Sequence, residues 1–137
     1  MRKPSPLQVK SFEFAVRIVN LNKHLCTEKR EFTLSKQVLR SGTNPGAMIR
    51  EAINAESPKD FIHKLSIGQK EIGETIYWLE LLEATNYISK EEFDSLNKDA
   101  VEVMKLITSS IITKKKKIGL LTISLLTIIT SIMHWLA

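Results

Sequence analysis

An all-α chain folded as an antiparallel, up-and-down four-helix bundle is what this sequence predicts, and three observations carry the prediction. Apolar residues recur at spacings of three and four in four separate segments. Serine-led capping signatures mark where two of those segments begin. Turn residues are scarce, with five glycines and four prolines in 137 residues, too few for a sandwich of many short strands. A hydrophobic share of 43% and a charged share of 26% are ordinary for one compact domain.

The first helix is expected over about residues 8 to 26. Phe14, Ile18, Leu21 and Leu25 form its stripe, with Phe12, Ala15, Val16 and Val19 widening it. The opening MRKPSPLQVK carries no apolar signal and reads as a short frayed lead-in. After the polar TEKRE, a second helix is expected from about Glu31 to Ala55, carrying Leu34, Leu39, Ile49 and Ile53. Its middle, LRSGTNPGAMIREA, holds Gly42, Asn44, Pro45 and Gly46. Pro45 removes one backbone hydrogen bond and crowds the Ser41 carbonyl, about 3 kcal/mol in a regular interior, so this helix is expected to kink. A break at Asn44 is the alternative, because the residue before proline is biased out of the helical region.

SPKD starts the third helix, with Ser57 as cap, Pro58 in the first turn and Asp60 as the returning partner of a capping box. Phe61, Leu65, Gly68, Ile72, Ile76 and Leu79 then step by four, three, four, four and three, a bundle seam that continues to Leu82. SKEE starts the fourth in the same way, Ser89 pairing with Glu92, and Phe93, Leu96, Ala100, Val103, Ile107 and Ile111 keep its seam. Residues 1–117 thus form the bundle. Residues 118–137, IGLLTISLLTIITSIMHWLA, are apolar all round and uncharged if His134 is neutral, and are expected as an additional hydrophobic helix about 30 Å long. They form a candidate transmembrane segment, with KKKK before it and Trp135 near its far end. That pattern would anchor the bundle to the inner, cytoplasmic face of the membrane. The alternative is that several tails pack together along the axis of an oligomer.

The net charge of +5 is unevenly placed. Residues 1–50 hold 10 Lys/Arg against 3 Asp/Glu, residues 51–113 hold 6 against 12, and residues 114–117 are all lysine. A basic half suits nucleic acid or an anionic surface; it equally suits the mating of complementary helices. Lys36, Arg40 and Arg50 share one helical face, and with Lys10, Arg17, Lys23, Lys29 and Arg30 they form the candidate phosphate-binding set. Gly42 and Gly46, four apart, make a smooth contact face, and with Tyr77 and Trp78 they are the candidate oligomer contacts.

Catalytic chemistry finds little to stand on. GTNPGAMI lacks the Lys-Ser/Thr of a phosphate loop and no strand precedes it. Glu71 and Glu74 lie near His63, but the paired Glu-x-x-His motifs of di-iron bundles are absent; their expected partners are Arg40 or Arg50. His24 and Cys26 would point to different helix faces. The lone Cys26 forms no internal disulfide and suits a reducing compartment. No enzyme, metal or cofactor is expected.

QVLRSGTNPGAMIREAINAESPKDFIHKLSIGQKEIGETIYWLELL, residues 37–82, resembles the four-helix-bundle proteins encoded by intervening sequences within bacterial 23S ribosomal RNA genes, with looser similarity from Phe12 to about Lys117. The resemblance implies a homopentameric ring, and RNA or an RNA-handling protein as partner, since relatives include the accessory protein of diversity-generating retroelements. Two departures stand out. Asn44-Pro45-Gly46 stands where the family commonly has a small or β-branched residue followed by glycine or proline, so the motif is retained with an altered local helix geometry, and the family's fourth helix typically ends near the lysine run, where this chain adds its apolar tail. The functional expectation is a non-enzymatic oligomeric scaffold or RNA-associated binder, the alternative being a membrane-tethered interaction module without nucleic-acid affinity.

Overall fold

The computed structural model describes residues 3–136. It contains four helices: α1 (Pro6–Thr27), α2 (Leu34–Ile53), α3 (Pro58–Ala84) and α4 (Lys90–Leu136). α2 packs on α1 and α3, α4 packs on the same two, and the diagonal pairs stay apart. With connections of a few residues, this closes a four-helix bundle of up-and-down order. The core is a single column of side chains, including Phe14, Ile18, Leu25, Val38, Ile49, Leu65, Ile72, Leu79, Val103 and Ile107, each at most 1% exposed.

The helix starts follow local chemistry. Ser89 Oγ accepts from the Glu92 backbone N–H at 3.1 Å and Glu92 Oε2 accepts from the Ser89 N–H at 2.7 Å, the complete box that SKEE predicts. Ser57 also caps as expected, accepting from the Asp60 N–H at 3.0 Å. The Asp60 carboxylate does not close that box, because it turns to the Glu56 N–H at 3.4 Å. A second complete box lies where a frayed lead-in was expected. Ser5 and Gln8 exchange bonds at 2.9 and 3.3 Å, and Pro6 enters the first turn, where its missing N–H costs nothing.

Glu31 is placed differently from expectation. It precedes α2 rather than starting it, and its carboxylate accepts from the backbone N–H groups of Thr33, Leu34 and Ser35 at 2.9, 2.8 and 2.6 Å. Burial by itself raises its pKa; the bonds from Leu34, Ser35 and Thr33, with the Ser35 side chain, outweigh this and hold the carboxyl below its ordinary value. The side chain therefore satisfies the donors that a helix start leaves open, and its charge suits the positive end of the dipole.

α2 passes through Pro45 without a break. The proline is buried, and α3 comes so close there that a Cβ on Gly68 would lie 3.7 Å from Pro45 Cα. Close packing on a smooth surface offsets what the missing bond costs. Part of the small face of α2 is spent inside the chain. A Cβ on Gly42 would meet Ile18 at 2.7 and 2.8 Å, and one on Gly46 would lie 3.6 Å from the Ser11 carbonyl. Gly42, expected as an oligomer contact, thus admits α1 of the same molecule, whereas Gly46 is half-buried and borders a surface groove.

The fourth helix also departs from expectation. Residues 118–136 do not form an additional helix; they continue α4 without interruption.

Candidate functional site

The bundle has two ends and one outer apolar face on which function can be built. At the end formed by the C-terminus of α1 and the start of α2, Lys23, Lys29, Arg30 and Lys36 are exposed, and none has a carboxylate within 4.0 Å among the described residues. Arg30 takes a left-handed conformation with φ of 50°, which turns the chain out of α1 and projects its side chain from the connection.

The other basic candidates are not equivalent to these four. Arg17 clasps α4: its Nη1 donates to Asp99 Oδ2 at 2.6 Å and to the Ser95 carbonyl at 3.1 Å, and its Nη2 donates to Ser95 Oγ at 2.9 Å. Arg40 spans from α2 to α3, donating to Glu71 Oε2 at 3.2 Å and to Glu74. Trp78 Nε1 joins this network by donating to Glu74 Oε1 at 3.0 Å. Lys10 lies 3.6 Å from Glu13 on its own helix. Arg50 is exposed at the other end of α2, beside a groove lined by Phe12, Ala15, Thr43 and Gly46. The eight cations thus divide into a cluster at one end and a set committed to, or separated by, the helices between.

Glu71 and Glu74, the pair considered for metal, are engaged by Arg40. Among the described residues, no group of three His, Cys, Asp or Glu is placed to hold an ion. Tyr77 and Trp78 meet edge to face at 4.9 Å. Trp78 is half-buried against the core, whereas Tyr77 is 54% exposed and free to meet a partner.

Three residues assigned to the core stripe of α1 point the other way. Phe12, Val16 and Val19 are exposed, as is Val9, and their spacing of three, four and three sets them opposite the buried Phe14, Ile18, Leu21 and Leu25. The sequence contained both lines. Periodicity alone does not separate a core stripe from an apolar face turned to solvent.

The largest exposed apolar surface is the second half of α4. The seam Leu96, Ala100, Val103, Ile107, Ile111 is buried, Ile118 is half-buried, and residues 119–136 are all exposed. An 18-residue window here has mean hydropathy 1.7 and no buried residue. Thr122, Thr127 and Thr130 donate to the carbonyls of Ile118, Ser124 and Thr127 at 3.0, 2.8 and 2.9 Å. Those hydroxyls therefore need no water.

A family model described as 23S rRNA-intervening sequence protein matches residues 7–109. A solved structure of a protein with unknown function from the S23 ribosomal protein family of Bacteroides thetaiotaomicron is 57% identical, with TM-score 0.76 over 77% of this chain and 97% of that one. No curated protein matches.

Proposed function

The chain belongs to the 23S rRNA-intervening sequence protein family, and we propose that it is a non-enzymatic helical-bundle scaffold held at a membrane by residues 118–136, with the bundle on the cytoplasmic side. The observation that carries this reading is the unbroken passage of α4 from a half-buried bundle helix into a segment with no buried residue and a mean hydropathy of 1.7. Nineteen residues at 1.5 Å each reach about 28 Å, near the thickness of a bilayer's hydrocarbon. A helix satisfies its own backbone in lipid, and here the threonine hydroxyls are satisfied as well. Lys114 to Lys117 retain the bundle on the cytoplasmic side, and Trp135 suits the opposite interface.

Fractionation tests the reading. The full chain is expected to sediment with membranes and to resist extraction at high salt and alkaline pH, and a chain ending at Lys117 is expected to stay soluble. If both remain in the supernatant of a high-speed spin without detergent, the anchor is refuted and tails packed within an oligomer take its place.

The exposed stripe Val9, Phe12, Val16 and Val19 supports self-assembly of the bundle into a homo-oligomer, with Tyr77 as a further contact; the pentamer is the size that family resemblance suggests. A second reading, RNA or an RNA-handling protein as partner, rests on Lys23, Lys29, Arg30 and Lys36, which have no carboxylate partner among the described residues. Binding of structured RNA is then expected to fall steeply as salt rises, because phosphate contacts release counterions. A flat salt response would leave the scaffold without nucleic-acid affinity.

A further inference from the structure

The end of the bundle remote from residues 118–136 carries an exposed aromatic ring among its cations. Phe32 is 53% exposed, and among the described residues no other large apolar side chain is exposed between Val19 and Ile53. Its exposure follows from how the connection between α1 and α2 is pinned. Arg30 takes a φ of 50°, the Glu31 N–H donates to the Leu25 carbonyl at 2.9 Å, and the buried Glu31 carboxylate accepts from the N–H groups of Thr33, Leu34 and Ser35. With Glu31 clamped inward at both its backbone and its side chain, Phe32 is held outward in a connection that has little freedom left to lose. Lys29 and Arg30 precede the ring, and Lys36 stands about one helical turn after it. Residues 23–36 hold four Lys/Arg against two Glu; Glu31 spends its charge on backbone N–H groups, and Glu28 is the exposed exception.

We infer that Phe32 is a stacking platform for an unpaired base of an RNA strand, whose neighbouring phosphates meet Lys29, Arg30 and Lys36. The inference rests on the RNA reading above and narrows it: the site takes single-stranded or looped RNA rather than a duplex. Every base has a π-face that an aromatic ring can cover, but a base within a duplex has given its faces to its neighbours. A protein contact asks for different surroundings, because the centre of a protein interface gathers apolar side chains and is depleted of charge. Phe32 has cations as neighbours along the chain and no exposed apolar companion there. The pinned connection presents the ring before any ligand arrives, so little ordering cost remains. On the α4 side of this end, a groove is lined by His24, Glu91 and Glu92; those carboxylates repel a polyanion and leave the α1–α2 side as its path.

The test measures fluorescence anisotropy of labelled RNA with the full chain in mild non-ionic detergent, comparing an unstructured strand with a blunt duplex of the same strand length. Charge alone favours the duplex, which carries twice the phosphates; stacking reverses the order, and the strand is expected to bind about tenfold more tightly. Phe32→Ala and Phe32→Leu should each remove that preference, Phe32→Trp should keep it, and all three should leave the urea midpoint of the bundle unchanged. A 2-aminopurine base in the strand should be quenched by the unmodified chain and by Phe32→Trp, but not by Phe32→Ala or Phe32→Leu. Lys29→Gln with Arg30→Gln should weaken binding of both RNAs and lower the salt slope for the strand by about 1.4. Duplex binding as tight as strand binding would overturn the platform, as would an undiminished preference in Phe32→Ala; in either case salt-sensitive binding leaves the RNA reading standing. No binding of either RNA at low salt would refute both. A fall in assembled mass by light scattering in Phe32→Ala, with strand affinity unchanged, would assign the ring to a contact between copies instead.

Discussion

The two halves of α4 have the same backbone and opposite surroundings. From Lys90 to Lys117 the helix buries one line of residues, Leu96, Ala100, Val103, Ile107 and Ile111, and gives its other faces to water. Beyond Ile118 it is apolar on nearly every face and buries none of them. In the first half, stability comes from packing; in the second, helix propensity and the backbone's own hydrogen bonds hold the conformation until a medium covers the side chains. The difference teaches that an apolar residue's contribution depends on the periodicity of its neighbours. A stripe finds a core, whereas a full circumference needs a solvent.

The same substitution made in each half should expose this most strongly. Ile107→Ala removes a side chain that is 0% exposed and is expected to cost about 2 to 5 kcal/mol of bundle stability. Ile128→Ala, at a side chain 55% exposed, should change it by less than about 0.5 kcal/mol. Urea unfolding in mild detergent measures both. Equal losses would mean that the extension is packed against protein and the contrast is false.

Glycines give a smaller contrast. Gly42→Ala places a methyl 2.7 Å from buried Ile18, and is expected to destabilise by about 1 to 3 kcal/mol through overpacking despite the better helix propensity of alanine. Gly119 has nothing within 4 Å. There the same change should gain helix stability, up to about 1 kcal/mol, read as increased helicity or slower amide exchange in the extension.

The smallest effect is titratable. Glu31→Ala should cost the bundle about 0.5 to 2 kcal/mol near neutral pH, as loss of a helix cap does. Because the folded carboxyl lies below its ordinary value of 4.5, its contribution is complete above that pH and disappears as pH falls through the folded pKa. Unfolding at pH 7 and pH 3 should therefore show the difference between Glu31→Ala and the unmodified chain shrinking on acidification. The extension has no Asp or Glu side chain, so its helicity should not follow.

What was legible in the sequence was what neighbours along the chain decide. Ser57 and Ser89 announced their caps within three residues, and the seams of α3 and α4 declared themselves by spacing. The capping box of Ser5 and Gln8 was equally local, but the lack of an apolar pattern around it made the stretch resemble a frayed end. Glu31 was obscured because its partners are backbone groups, which every residue possesses. Arg17 meets Asp99, 82 positions away, and no local pattern connects them. The smooth face of Gly42 was visible, but a pattern of small residues does not say whether the approaching helix is its own or a neighbour's. Likewise, α1 carried two apolar lines, and only the fold decided which of them faces Leu65 and Ile107.

The absence of a joint in α4 has a mechanical consequence. A flexible linker would let the bundle wander over the surface below it, whereas a single helix from Lys90 to Leu136 acts as a stiff mast. If residues 118–136 span a bilayer as proposed, whatever tilt or rotation the bilayer imposes on the foot, as it does when hydrophobic length and membrane thickness disagree, is delivered to the head. Membrane thickness would thereby set the direction in which Lys23, Lys29, Arg30 and Lys36 face, far above the lipid that determines it.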